Sequence, residues 1–68
     1  MLEYGRLSEI LNVLSEKKSS TVRELAQHLY VSDATVRRDL NILERQGQVR
    51  RVFGGAILLE SDQKELPF

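Results

Sequence analysis

The sequence predicts a mainly α-helical domain of three helices carrying one small β-hairpin. Three observations lead there. Apolar residues recur at helical spacing through the first two thirds of the chain. Helix-start signals stand at Thr21 and Ser32, and past Gly47 the helical period gives way to β-branched residues around a Gly-Gly pair. At 68 residues there is room for one small core, and a chain this short buries only about 60% of its unfolded surface. With no cysteine, neither a disulfide nor a thiolate metal site supplements that core, and a reducing, intracellular setting is the default.

Leu7, Ile10, Leu11 and Leu14 fall at i, i+3, i+4 and i+7, one face of a first helix that ends at the polar run Lys17 to Ser20. Thr21 with Glu24 three residues later is a capping-box pattern, in which each side chain satisfies a free backbone N–H. It opens a second helix whose apolar face is Val22, Leu25, Ala26 and Leu29. A helix this short is marginal alone and needs tertiary partners. Ser32 is the next N-cap, with Val31 and Val36 placed as a hydrophobic staple. Val36, Leu40 and Leu43 mark the buried face of this third helix, and Gly47 is its left-handed terminator. The turn from Tyr30 to Ser32 is too tight for a long antiparallel hairpin, so the second and third helices cross steeply as a helix-turn-helix. Two strands follow, Gln48 to Phe53 and the run from Ala56, joined through Gly54 and Gly55. Such a hairpin is unstable alone and should lie on the helices as a wing. Residues 1–59 thus read as a three-helix winged helix-turn-helix, and 60–68 as a polar tail or linker. The N-terminus carries acidic residues and no apolar run of signal or membrane length, so a cytoplasmic protein is expected.

Ten basic residues balance ten acidic ones, which taken alone argues against a nucleic-acid partner. Their distribution argues the other way. From Ala34 to Ala56 five arginines face two acids, whereas both flanking segments are net acidic. At about 100° per residue, the direction opposite the buried face of the third helix holds Ala34, Arg38, Asn41 and Arg45, flanked by Thr35 and Arg37. The ordinary explanation of an outward arginine is a solvated helix with i, i+4 ion pairs. Arg37 fits it, with Asp33 four residues earlier. Arg38 and Arg45 have no acid at i±3 or i±4 and are open to an external anion.

Reading duplex DNA suits this set. Arginine offers paired donors to guanine, asparagine pairs with adenine, and small residues permit close approach or meet a thymine methyl. Ala34 and Thr35 lie at the N-terminal end that recognition helices present to base edges, where Ser32 and the first N–H groups can take a phosphate. Arg50 and Arg51 point to opposite faces of their strand, so one of them at most reaches DNA from a given hairpin surface. Gly54 and Gly55 either admit a close backbone approach or simply make the turn. No enzyme is indicated, nor a cofactor or metal site: there is one histidine, His28, expected at the surface or rim, and no cysteine. The rival expectation is a winged helix that contacts only protein, its arginines pairing with an acidic partner.

The stretch TVRELAQHLYVSDATVRRDLNILERQGQVRRVFGGA resembles the N-terminal DNA-binding domain of the DeoR family of bacterial transcription repressors. Two separated elements carry the likeness, VSDATVRRDL and FGGA, and it spans Leu7 to Ala56. The resemblance implies a winged helix on operator DNA and a homo-oligomeric full-length repressor. It also implies a separate C-terminal domain sensing a phosphorylated sugar, absent here, so that the chain is either an excised domain ending in its linker or a stand-alone small protein. DNA contact carries over to Ser32, Thr35, Arg37, Arg38 and the wing from Arg51 to Ala56. Tyr30 stands where the turn often has glycine, and Phe53 where many members have histidine.

Overall fold

The computed structural model describes residues 3–59. The stretch 60–68, expected as a tail or linker, lies outside the described residues. Helix α1 spans Glu3–Lys17, strand β1 Ser19–Thr21, helix α2 Val22–Leu29, helix α3 Asp33–Arg45, strand β2 Val49–Val52 and strand β3 Gly55–Leu58. This is the three-helix winged helix-turn-helix, with one addition. The sheet has three strands rather than two, antiparallel in the order β1-β3-β2.

The helices begin and end where their chemistry dictates. Lys18, at φ 71, turns the chain left-handed after α1 while its N–H still reaches the Leu14 carbonyl at 2.7 Å. Thr21 ends β1 and caps α2. Its hydroxyl accepts the Glu24 N–H at 3.0 Å, and the Glu24 carboxylate accepts the Thr21 N–H at 3.1 Å. Past α2, Tyr30 adopts φ 59 and ψ 43, and both it and Val31 donate to the Ala26 carbonyl. Tyrosine thus holds the left-handed conformation that glycine takes without strain, at a cost of about 1–2 kcal/mol. Its ring is 94% exposed. At the end of α3, Gly47 sits at φ 80; its N–H meets the Glu44 carbonyl and the Gln48 N–H meets that of Leu43, a Schellman closure.

Ile10 and Leu14 from α1, Val22, Leu25, Ala26 and Leu29 from α2, and Val36, Leu40 and Leu43 from α3 form one core with Val49 and Ala56 of the sheet. Leu7, Leu11, Val13, Val31 and Leu58 pack around it. One charge lies among these apolar groups. The Asp39 side chain is 0% exposed and accepts two hydrogen bonds from the guanidinium of Arg6, itself 14% exposed, which ties α1 to α3.

The hairpin turn differs from the expected Gly54-Gly55. Val52 pairs with Gly55, so the turn residues are Phe53 and Gly54, with positive φ only at Gly54, as a type II turn requires. Gly55 is buried inside β3, where a Cβ would stand 2.2 Å from the Ser20 carbonyl oxygen. Its lack of a side chain is what lets β1 lie beside β3. The Gly54 carbonyl in turn accepts the Val22 N–H at 2.9 Å, fastening the hairpin turn to the first residue of α2.

Candidate nucleic-acid interface

Helix α3 positions the site. Its buried stripe points Ala34, Arg37, Arg38, Asn41 and Arg45 outward, all of them exposed, while Thr35 is half-buried. At its start the Ser32 hydroxyl accepts the Thr35 N–H at 3.1 Å and donates to the Thr35 hydroxyl at the same distance. The two side chains expected to meet DNA at this end are thereby fixed to each other, which sets the entry of the helix.

The expected Asp33–Arg37 ion pair is not formed: among the described residues Arg37 has no carboxylate partner. An exposed i, i+4 pair of this order contributes only about 0.2–0.5 kcal/mol, too little to hold two long side chains in one rotamer. Arg38 and Arg45 are also without an acid partner among the described residues, as their spacing implied. Asp39 leaves this surface altogether, because Arg6 neutralises it in the core. The outward face therefore carries three arginines with no acid paired to them among the described residues.

The two adjacent arginines of β2 separate as alternation demands. Arg50 is exposed on the outer face of the sheet, whereas Arg51 is half-buried and turned toward α3. The Arg51 Nη1 donates to Asn41 Oδ1 at 2.7 Å, and its backbone N–H donates to Glu44 Oε2 at 3.1 Å. Arg51 thus joins the wing to the outward face of α3, and Arg50 is the solvent-facing cation of the strand. Phe53 stands at the hairpin tip, 107% exposed by comparison with a free residue. Gly54 shapes the turn there, while Gly55 lies inward and serves the sheet.

Several residues of the site were not singled out by sequence. Asp39 had a signal: it lies within the Val36–Leu43 stripe, and an acid on a buried stripe demands a cation. Glu44, which tertiary packing brings to the Arg51 backbone N–H, had none. Arg23 is exposed on α2, without an acid partner among the described residues, in a shallow groove with Tyr30 and Asp33. The helix preceding a recognition helix crosses the DNA backbone, and that role could have drawn attention to Arg23. His28 lies at the rim as expected, its Nε2 2.9 Å from Glu9 Oε2.

At the junction of α1, β1 and α2, Glu24 is held below the usual carboxylate range. The Thr21 backbone N–H is the main cause, joined by the Ser20 hydroxyl and by Lys17 at 3.8 Å. Among the described residues no three His, Cys, Asp or Glu side chains cluster as a metal site, and no helix is long and apolar enough to cross a membrane.

Residues 6–62 match the DeoR-like helix-turn-helix domain family. Among curated proteins, the chain is 41% identical over 64 residues to the HTH-type transcriptional regulator GolR of Listeria innocua, covering 94% of this chain and 25% of that protein. It is 45% identical over 61 residues to the lactose phosphotransferase system repressor of Lactococcus lactis, 90% of this chain and 24% of that one. With the HTH-type transcriptional regulator GlpR of Haloferax volcanii it shares 38% over 65 residues, 96% and 26% respectively. The chain therefore spans about a quarter of the length of these relatives. No solved structure matches significantly.

Proposed function

The chain belongs to the family of DeoR-like helix-turn-helix domains, and from that premise we propose that it binds double-stranded operator DNA as the reading head of a transcription repressor. The observation that carries this is the outward face of α3, where Arg37, Arg38 and Arg45 stand exposed without a carboxylate partner among the described residues. Helix α3 with its flanks, residues 32–46, lies in the major groove, where Ala34, Thr35, Arg38 and Asn41 face base edges. Ser32, Arg37 and Arg45 hold phosphates, Arg51 stands beside Asn41 at the base edges, and the wing, residues 48–59, rests on the backbone or in the minor groove through the Phe53-Gly54 tip, with Gly55 setting the strand behind it. The site uses no metal and no cofactor, and performs no catalysis.

In the longer protein, two copies of this domain sit on paired half-sites of the operator, in the cytoplasm, and a further domain senses a phosphorylated sugar. The relatives support this: they are about four times as long, and several are named as repressors of a lactose phosphotransferase system. A lone module contacting about 600–1,000 Å² binds weakly, so pairing supplies most of the affinity.

The test is duplex binding followed by fluorescence anisotropy across a salt series. Affinity should fall log-linearly with salt, with a slope near about −0.9 per phosphate neutralised. No duplex binding at about 50 mM salt, where electrostatic association is strong, would leave the domain a protein-contact module.

A further inference from the structure

We infer that Arg51 is a positioning residue that decides which base Asn41 reads, turning it from adenine toward guanine. The inference rests on duplex binding by α3. Arg51 Nη1 donates to Asn41 Oδ1 at 2.7 Å. A guanidinium carries donors and no acceptor, so the amide oxygen is obliged to face it and the amide NH2 is turned the other way. The bond is charge-assisted and correspondingly strong. Its Arg51 end is anchored. The Arg51 backbone N–H is held by Glu44, one turn further along α3 from Asn41, and Arg51 is in register opposite Ala56 in the sheet. The Arg51 Nε is buried without a partner among the described residues, so the hydrogen bond to Asn41 is what its guanidinium makes within the described chain.

Sequence alone pairs Asn41 with adenine. That pairing uses both amide atoms, the oxygen accepting from N6 and the nitrogen donating to N7. Arg51 takes one of the two lone pairs of Oδ1, so an adenine amino group that approaches the other comes up against guanidinium N–H groups, donor beside donor. Guanine presents N7 and O6 in the major groove, both acceptors, and meets only donors there. The wing thus sets the specificity of a residue on another element.

Selection of bound duplexes from a random pool tests this, using the wild-type chain, Asn41→Ala and Arg51→Met, each checked for an intact fold by its thermal melt. Methionine keeps an apolar stem against α3 and removes the guanidinium. Asn41→Ala should flatten the preference at one base pair, where the wild type selects guanine. Arg51→Met should move that same position toward adenine by about five- to tenfold, leaving its neighbours unchanged. Asn41→Asp leaves the hairpin untouched and serves as the second variant. Arg51 still holds one carboxylate oxygen, the outward atom becomes an acceptor, and the preferred base becomes cytosine, which offers its N4 donor. A guanine preference that survives Asn41→Asp, or an Arg51→Met variant that weakens all sequences alike, overturns the inference while the domain remains a DNA binder. Loss of all duplex binding by the wild type at low salt is a different result, and removes the functional reading as well.

Discussion

Helix α3 treats its charges in opposite ways on its two sides. On the side facing α1, Asp39 is sealed from water and receives a two-pronged bond from Arg6. On the other side Arg37, Arg38 and Arg45 stand in solvent with no carboxylate paired to them among the described residues. The sequence neighbours Arg38 and Asp39 therefore belong to different structures, one to the surface and one to the core. A buried charge must be neutralised within the fold, because its desolvation is otherwise uncompensated. An exposed charge is under no such obligation, and a partner of its own would compete with any polyanion. The contrast separates residues that hold α3 in place from residues that α3 presents.

Breaking the buried side should give the largest effect. Asp39→Ala removes the buried carboxylate that receives both hydrogen bonds of the Arg6 guanidinium, and breaking a buried pair from one side costs about 3–5 kcal/mol, a large share of the stability of so small a domain. Its thermal melt should shift far downward or vanish. Replacing both partners, Arg6→Met with Asp39→Leu, should recover most of the loss, since a hydrophobic pair carries no desolvation penalty. A single mutant that melts like the wild type would show that the pair does not secure α3.

On the presented side the effects should be confined to DNA. Arg38→Ala should cost about 1–3 kcal/mol on the preferred duplex if it reads a base, with the melt unchanged. Arg45→Ala should weaken all sequences alike and reduce the salt slope by about one. A drop in melting temperature for either would blur the separation between the two sides.

Glu24 sharpens the contrast with the smallest effect, since it is an exposed carboxylate that the fold nevertheless uses. Its folded value lies below the ordinary one, chiefly through the Thr21 N–H, so its contribution is fully present above the usual carboxylate range. That contribution is lost as pH falls through the lowered value. Glu24→Gln should flatten the acid limb of the stability profile, read by denaturant unfolding at several pH values. An unaltered acid limb would mean that the capping carboxylate adds nothing.

How much of this was legible depended on whether a signal was local. The caps at Thr21 and Ser32, the stop at Gly47 and the apolar stripes all act within a few residues, and each is found where the pattern placed it. The outward orientation of Arg38 and Arg45 followed from the same periodicity. Strand β1 was not legible. Ser-Ser-Thr has no apolar alternation, and it becomes a strand only because β3 offers it an edge and Gly55 the room. The turn slipped by one residue because two adjacent glycines give the same local signal, and only the register of Val52 with Gly55 distinguishes them. Arg51 and Asn41 lie ten positions apart on different elements, and alternation along β2 said only that one of its two arginines faces the helices.

Thr21 closes a strand and opens a helix with no residue between, and the Gly54 carbonyl is fastened to the amide that follows it. The hairpin and the helix pair consequently form a caliper whose jaws are set at a fixed gap. If a duplex lies against both jaws, as proposed, it supplies the accommodation itself, and base steps that bend or narrow easily are then favoured even where no side chain touches them.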